Sequence, residues 1–358
     1  MALPASIDAA LSEGLHVRGI ILANTGSPSS PHPNDIERYL RDFLLDDRIR
    51  QLPKPLWKWL LHKKILPKRK YSSAQRYDFI WTEQGSPLVI IQQKLADKVQ
   101  ALLDEDDALR DKIMVRSAMS YGSPSIEEAL KEMRGCNVDE VVLLPLYPQS
   151  AFSPTLAVTD AFWRAQASIG WHPKSTVIDN YHDDPGYIAA MTQRIRSAGF
   201  NPETGDKLLL SFHAIPLKDE KAGDTYRSQI VTSVELIAAG LNIPASCITV
   251  AFQSVFGPNA KSWTSPLAQD VMHRWRDGDF RVVFACPGFS IDCLETLYDV
   301  PHVIVPALEG EDALPVVERV GGDIQAACNT SGRFVWVPSL NASDEHAALI
   351  GDILLHHL

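Results

Sequence analysis

A histidine and three acidic residues, carried by two short segments, are the groups in this chain best placed to do chemistry. The first segment is Leu208-Leu209-Leu210-Ser211-Phe212-His213-Ala214-Ile215-Pro216. The second is Phe284-Ala285-Cys286-Pro287-Gly288-Phe289, followed by Asp292, Cys293, Glu295 and Asp299. In each, an apolar run stops at a Pro or Gly, as a strand does where it leaves a sheet, and open α/β sheets place ligands at that edge. An imidazole and carboxylates converging there can pass protons, hold a metal ion, or both. Asp292, Glu295 and Asp299 fall at i, i+3 and i+7, which predicts one shared helical face. Like charges stacked this way raise each other's pKa and form an oxygen-rich lane for a hydrated divalent cation. A competing reading is that acids gather at a helix N-terminus to suit the macrodipole. It accounts for Asp292 well, Glu295 in part and Asp299 poorly. Taken alone, His213 reads equally as a polar plug at a strand end. Cys286 and Cys293 lack metal-site spacing and read as small buried hydrophobes.

Two loops, Asn24-Thr25-Gly26-Ser27-Pro28 and Gly85-Ser86-Pro87, offer backbone amides to an anion. Neither matches a P-loop or a dinucleotide fingerprint, so no nucleotide cofactor is expected. Tyr121, Tyr147, Phe152, Phe212, Phe256 and Phe289 stand at or just past strand ends. They suit either a flat apolar ligand or an ordinary aromatic core.

The elements that must position these groups alternate along the chain. Apolar runs predict strands over 19–24, 114–119, 141–145, 175–180, 208–212, 248–253, 282–285 and 334–337. Amphipathic spacing predicts helices over 34–44, 88–103, 126–133, 155–167, 186–198, 227–239, 266–275, 314–328 and 345–356. Such alternation implies an α/β fold with parallel sheets flanked by helices. A weak internal repeat divides it. Met119-Ser120-Tyr121-Gly122-Ser123-Pro124 leads through a helix to Leu144-Pro145-Leu146-Tyr147-Pro148, much as Phe252-Gln253-Ser254-Val255-Phe256-Gly257-Pro258 leads to Ala285-Cys286-Pro287-Gly288. Two similar Rossmann-like domains are expected, over 1–172 and 173–340, with a cleft between them. A terminal helix over 341–358 would pack back on the first. The first domain carries an insertion over about 29–85 whose stretch from Lys54 to Lys70 is basic and aromatic. There Trp57, Trp59, Leu60 and Leu61 read either as a lip dipping into a membrane interface or as a helix packed on its own domain.

The totals set the class. A chain of 358 residues, 45% hydrophobic and 22% charged, is long enough for two domains with real cores. A formal net charge of −10, with no groove-reading motif, argues against nucleic-acid binding. Five scattered cysteines without a CxxC pair fit reduced thiols in a cytoplasmic protein, peripheral at most to the inner face of a membrane. No apolar run approaches the roughly 18–20 residues that span a bilayer.

With these motifs in order, the chain resembles the ferrochelatases, the class II chelatases that insert ferrous iron into a porphyrin at the end of haem synthesis. The resemblance runs through Asn24-Thr25-Gly26-Ser27-Pro28, Arg38-Tyr39-Leu40-Arg41-Asp42-Phe43-Leu44, Trp81-Thr82-Glu83-Gln84-Gly85-Ser86-Pro87 and Leu144-Pro145-Leu146-Tyr147-Pro148-Gln149. It continues in Ser211-Phe212-His213-Ala214-Ile215-Pro216, Phe252-Gln253-Ser254, Cys286-Pro287-Gly288-Phe289, Asp292-Cys293-Leu294-Glu295-Thr296-Leu297 and Val337-Pro338-Ser339-Leu340-Asn341. It implies two Rossmann-like domains clasping the macrocycle. It matches His213 and Glu295 to the family's two central residues, as catalytic groups and metal ligands, with Asp292 and Asp299 as a proton or metal relay. Asn24, Thr25, Gly26, Ser27, Pro28, Ser120, Tyr121, Phe256, Pro287, Gly288 and Phe289 would line the porphyrin, with Tyr121 touching it from the wall opposite His213. Ferrous iron would be a substrate, no cofactor would be required, and no iron–sulfur cluster is expected, since a Cys-bearing tail is not seen. Ser120 and Val255 stand where many members have arginine, which leaves the anchoring of the propionates unassigned. The rival readings are a cobalt or nickel chelatase of the same fold and a porphyrin-binding carrier without catalysis.

Overall fold

The computed structural model describes residues 17–50, 52–256, 259–310, 318–320, 323–325 and 332–357. In the first half β1 (Val17–Gly26), β2 (Ile113–Tyr121), β3 (Val138–Pro145) and β4 (Lys174–Val177) form a parallel sheet in the order β2-β1-β3-β4. The second half contributes β5 (Lys207–His213), β6 (Ile248–Gln253) and β7 (Val282–Ala285). After a short antiparallel pair, β8 (Glu318–Val320) and β9 (Asp323–Gln325), comes β10 (Phe334–Val337), and the second parallel sheet has the order β10-β7-β5-β6. Each sheet thus has its second strand on one side of its first, and its third and fourth on the other. The repeat read in the sequence is a repeat of topology. In this order the chain switches direction between first and third strands, and the crevice opened there is the ligand position of doubly wound sheets. His213 ends the first strand of its sheet, and Cys286-Pro287-Gly288-Phe289 follows the third.

Alternation along the strands sorts their side chains into layers. Ile20 and Leu22 of β1, with Leu208, Leu210 and Phe212 of β5, enter one core shared by both halves. That core is filled by α4 (Pro87–Asp104), α6 (Pro185–Ser197), α7 (Tyr226–Leu241) and α9 (Asp344–Leu355), where α1 to α3 are Pro33–Leu44, Lys54–Leu60 and Leu66–Ile80, α5 is Pro154–Ile169 and α8 is Leu294–Leu297. Prolines at the starts of α1, α4, α5 and α6 occupy positions whose N–H has no helical partner, and Gly170, at φ 61°, closes α5. The helix α9 lies against α4, where Lys98 pairs with Asp344 at 2.6 Å and a Cβ on Gly351 would come within 2.6 Å of Leu102.

Three expectations are corrected. The division expected at 172/173 falls inside the first sheet, because β4 pairs with β3 from Glu140↔Lys174 to Leu143↔Val177. The Gly170 and Pro173 punctuation marks a helix-to-strand turn within one sheet, not a linker. The helix expected over 314–328 is not formed where that segment is described: Glu318–Val320 and Asp323–Gln325 pair as strands. The remainder of 314–328, with Cys328, and Gly257 and Pro258 lie outside the described residues. Finally, the lip splits by helical face. Trp57 is 3% exposed and donates its indole N–H to the Leu44 carbonyl at 2.6 Å, Leu61 is fully buried, and Leu60 packs beside them, whereas Trp59 is 56% exposed. Positions 57, 60 and 61 share the core-facing stripe that three- and four-residue spacing dictates.

The insertion does not stay with the half that carries it. Ile36, Leu40, Leu61 and Tyr77 join one apolar cluster with Leu209, Ala251 and Phe284 on the outer face of the second sheet. Ser211, His213, Gln253 and Cys286 continue that face by alternation toward the strand ends. The groups of interest therefore lie beneath α3 of the insertion.

Candidate active site

His213 ends β5 half-buried, paired in register with Gln253 of β6. Its Nδ1 lies 2.6 Å from the carbonyl of Ala214. A carbonyl only accepts, so Nδ1 carries a proton, and in the neutral ring Nε2 is the nitrogen with the lone pair. The ring centroid of Phe289 lies 6.3 Å from that of His213. Sequence spacing predicted a side-chain role for His213; the tautomer is a product of the turn after β5.

The acidic residues do not share a helical face. The helix α8 spans only Leu294–Leu297, and Asp292 precedes it. The carboxylate of Asp292, 1% exposed, accepts Ser339 Oγ at 2.8 Å and Asn341 Nδ2 at 2.7 Å, and its own N–H donates to Asn341 Oδ1 at 2.8 Å. It clasps its own loop to the segment carrying Ser339 and Asn341. Glu295 and Asp299 do come together. Glu295 Oε2 accepts the Cys293 thiol at 3.1 Å, so Cys293 is part of the site rather than filler. Asp299 accepts Ser254 Oγ at 2.8 Å and meets Arg76 Nη1 at 3.4 Å. Burial, then the charge of Glu295, pushes the Asp299 carboxyl up to about 6, against the pull of Ser254, Arg76 and His213. That mutual influence puts His213, Glu295 and Asp299 in one electrostatic neighbourhood.

Across from them stand aromatic and polar groups of the first half. Tyr147 donates to Asn24 Oδ1 at 3.1 Å and lies 2.6 Å from Thr25 Oγ1, while Tyr39 donates to the Gly26 carbonyl at 3.0 Å. Burial and the nearby Glu295 charge both raise the pKa of Tyr39, Tyr77 and Tyr147, which keeps these phenols protonated. Gly26 has φ 112°, and a Cβ there would sit 1.8 Å from the Tyr121 carbonyl, so no side chain fits. Ser27 and Pro28 are buried beside it. Ser120 keeps a buried hydroxyl without a partner. Tyr121 packs edge-on to Phe43 at 5.3 Å, its buried hydroxyl likewise without a hydrogen-bond partner, and Asp46 nearby is held by Arg164 at 3.2 Å. The tyrosines that sense Glu295 are Tyr39, Tyr77 and Tyr147. Pro287 is fastened from behind by Tyr187, whose hydroxyl donates to its carbonyl at 2.9 Å, and Gly288 and Phe289 follow half-buried.

Sequence reasoning missed three contributors on α3 and β6. Arg69 lies 4.8 Å over the ring of Phe256, and Arg76 lies 5.1 Å over that of Tyr298 while reaching Asp299. Two guanidiniums therefore border the site from the insertion, although neither stands at the positions of Ser120 or Val255. Nothing in the spacing of Arg69 and Arg76 within a basic stretch distinguishes them from solvated lysines. The third is Gln253 of β6, whose amide reaches Ser211 of β5, Cys286 after β7 and Glu295 of α8. Among the described residues, no helix is long and apolar enough to cross a membrane.

The ferrochelatase family model matches residues 17–309. The ferrochelatase of Nitrosococcus oceani is 33% identical over 341 residues, covering 95% of this chain and 86% of that protein. That of Haemophilus influenzae is 34% identical over 341 residues, covering 95% and 98%. A solved structure, the sirohydrochlorin chelatase SirB from Bacillus subtilis subspecies spizizenii in complex with cobalt, covers 93% of this chain and 92% of its own at 8% identity and a TM-score of 0.48. On the family match and on identity sustained along nearly the full length of both relatives, the chain belongs to the ferrochelatase family.

Proposed function

We propose that His213 accepts the pyrrole protons of the porphyrin, and that Glu295 with Asp299 conducts protons away and guides the cation in. The activity itself follows from the family: insertion of ferrous iron into a porphyrin with release of two protons, a lyase step of haem synthesis. The physical problem is to exchange two N–H protons for one hydrated cation inside a planar ring. A cleft that bends the ring exposes its nitrogen lone pairs, the strain being supplied by binding elsewhere on the macrocycle. The observation that carries the assignment is the bond from His213 Nδ1 to the Ala214 carbonyl, which leaves Nε2 as the nitrogen that takes up a proton when the ring is neutral. An imidazole in that tautomer serves as a base or as a transient ligand to the incoming iron without first losing a proton. Asp299, with its carboxyl near 6, exchanges protons readily close to neutral pH.

The porphyrin would lie between Phe289, Gly288 and Pro287 on one side and the segment from Asn24 to Pro28, with Ser120 and Tyr121, on the other. Phe256 would close one flank, and Arg69 above it is a cation in reach of a propionate. No further cofactor enters this account. A peripheral membrane contact rests on the exposed Leu56 and Trp59 set among Lys54, Lys58, Lys63 and Lys64. The alternative of a carrier without catalysis predicts tight porphyrin binding and no metal insertion.

The test is Fe²⁺ or Zn²⁺ insertion by His213→Ala and Glu295→Gln proteins that still bind porphyrin. The expected loss is about 10²- to 10⁴-fold, the range for a positioned acid or base. Near-normal turnover in both would overturn the assignment.

A further inference from the structure

We infer that Gln253 is a positioning residue of this reaction: its side-chain amide holds the backbone of Glu295 in register with the strand end that carries His213. The inference rests on the assignment of His213 and Glu295 proposed above. Gln253 is the last residue of β6 and 4% exposed. Its Nε2 donates to the main-chain carbonyl of Glu295 at 2.8 Å. That carbonyl can only accept, so the amide cannot be flipped, and Oε1 is the atom turned the other way. There it accepts the Ser211 hydroxyl at 2.6 Å and the Cys286 thiol at 3.5 Å. The Gln253 carbonyl also accepts Ala214 N–H at 2.8 Å. One residue is thus tied to β5 on both sides of His213, to the end of β7, and to α8.

The need for such a tie follows from the helix it holds. A four-residue helix, Leu294–Leu297, has no stability of its own and takes its position from its contacts. An apolar residue would fill the site of Gln253 as well, so a buried amide with both ends engaged points to orientation rather than packing. Because reacting groups must sit within a fraction of an ångström of their working geometry, a small drift of Glu295 away from His213 falls on turnover. Porphyrin binding, made elsewhere in the cleft, is spared.

The experiment compares Gln253→Leu and Gln253→Glu with the parent and with Glu295→Gln in the full chain. It reads the melting temperature, porphyrin binding by fluorescence quenching, and kcat and KM for Zn²⁺ insertion. Leucine removes both ends of the amide at nearly the same volume. Glutamate keeps the acceptor for Ser211 and, assayed at a pH high enough to ionise it against its burial, offers no hydrogen to the Glu295 carbonyl; it covers the case in which leucine does not fold. In each folded variant kcat should fall about 10- to 100-fold, the size expected when a partner that orients a reacting group is lost, with KM for porphyrin unchanged. Normal kcat in Gln253→Glu or Gln253→Leu beside an inactive Glu295→Gln would overturn the inference alone. A loss of activity that merely tracks the unfolded fraction would do the same. An active Glu295→Gln would remove the site assignment beneath it.

Discussion

Replacing Asp299 with asparagine should stabilise the protein at neutral pH while impairing metal insertion. The folded carboxyl titrates at about 6 rather than 3.8, so the folded state binds the proton more tightly than the unfolded chain does. Stability from this group is therefore highest in acid, falls as pH rises from about 4 through 6, and stays low above that. At 1.36 kcal/mol per pKa unit, the difference amounts to about 3 kcal/mol at pH 7.5 and about 1 kcal/mol at pH 4.5. Those values are net of the favourable contacts to Ser254 and Arg76. Asparagine has nearly the same shape, can still accept the Ser254 hydroxyl, and never ionises. Urea unfolding of parent and Asp299→Asn at both pH values, with no metal added, reads the effect directly. The expected gain is about three times larger at pH 7.5 than at pH 4.5. An equal gain at both, or a loss at pH 7.5, would refute the account of Asp299 as a carboxylate held ionised against its burial. The accompanying fall in Zn²⁺ insertion would show that this group is kept for function at the expense of stability.

His346 bends stability with pH the other way. It is fully buried, its Nδ1–H donates to the Asn341 carbonyl at 2.5 Å, and burial lowers its pKa to about 4. The unfolded chain takes up this proton first, so stability is lost as pH falls from 6.5 toward 4, by up to about 3 kcal/mol. A His346→Gln protein should show a flatter stability profile over that window in urea unfolding at graded pH; an unchanged slope would contradict it. The split of the insertion's tryptophans predicts that Trp57→Ala loses about 3–5 kcal/mol of stability, whereas Trp59→Ala stays within about 0.5 kcal/mol. Only Trp59→Ala, measured by sedimentation with anionic vesicles, should weaken membrane association.

The periodicity of apolar residues by itself determined the α/β class, all eight strands of the two parallel sheets, and their repeated order of elements, because burial on both faces demands continuous apolar runs. His213 and Glu295 were legible for a related reason. A strand end and a helix start are local events, marked by Ala214-Ile215-Pro216 and Pro287-Gly288, and the residues next to them inherit the sheet's ligand edge. What spacing could not supply was direction. Asp292 and Glu295 are three residues apart and were assigned one face, yet the helix that would make them neighbours begins only at Leu294, and Ser339 and Asn341 claim the Asp292 carboxylate. Tertiary packing alone decided that the insertion of the first half covers the outer face of the second sheet. That packing brings Arg69, Arg76, Tyr39 and Tyr77 to an acidic pair more than two hundred residues away in the chain. It also decided that Gln253, in the sequence only part of a strand-end motif, hydrogen-bonds to both reactive segments. Local sequence encodes which groups lie at an edge; only long-range apolar burial determines which edges meet, since that energy depends on surfaces and not on order along the chain.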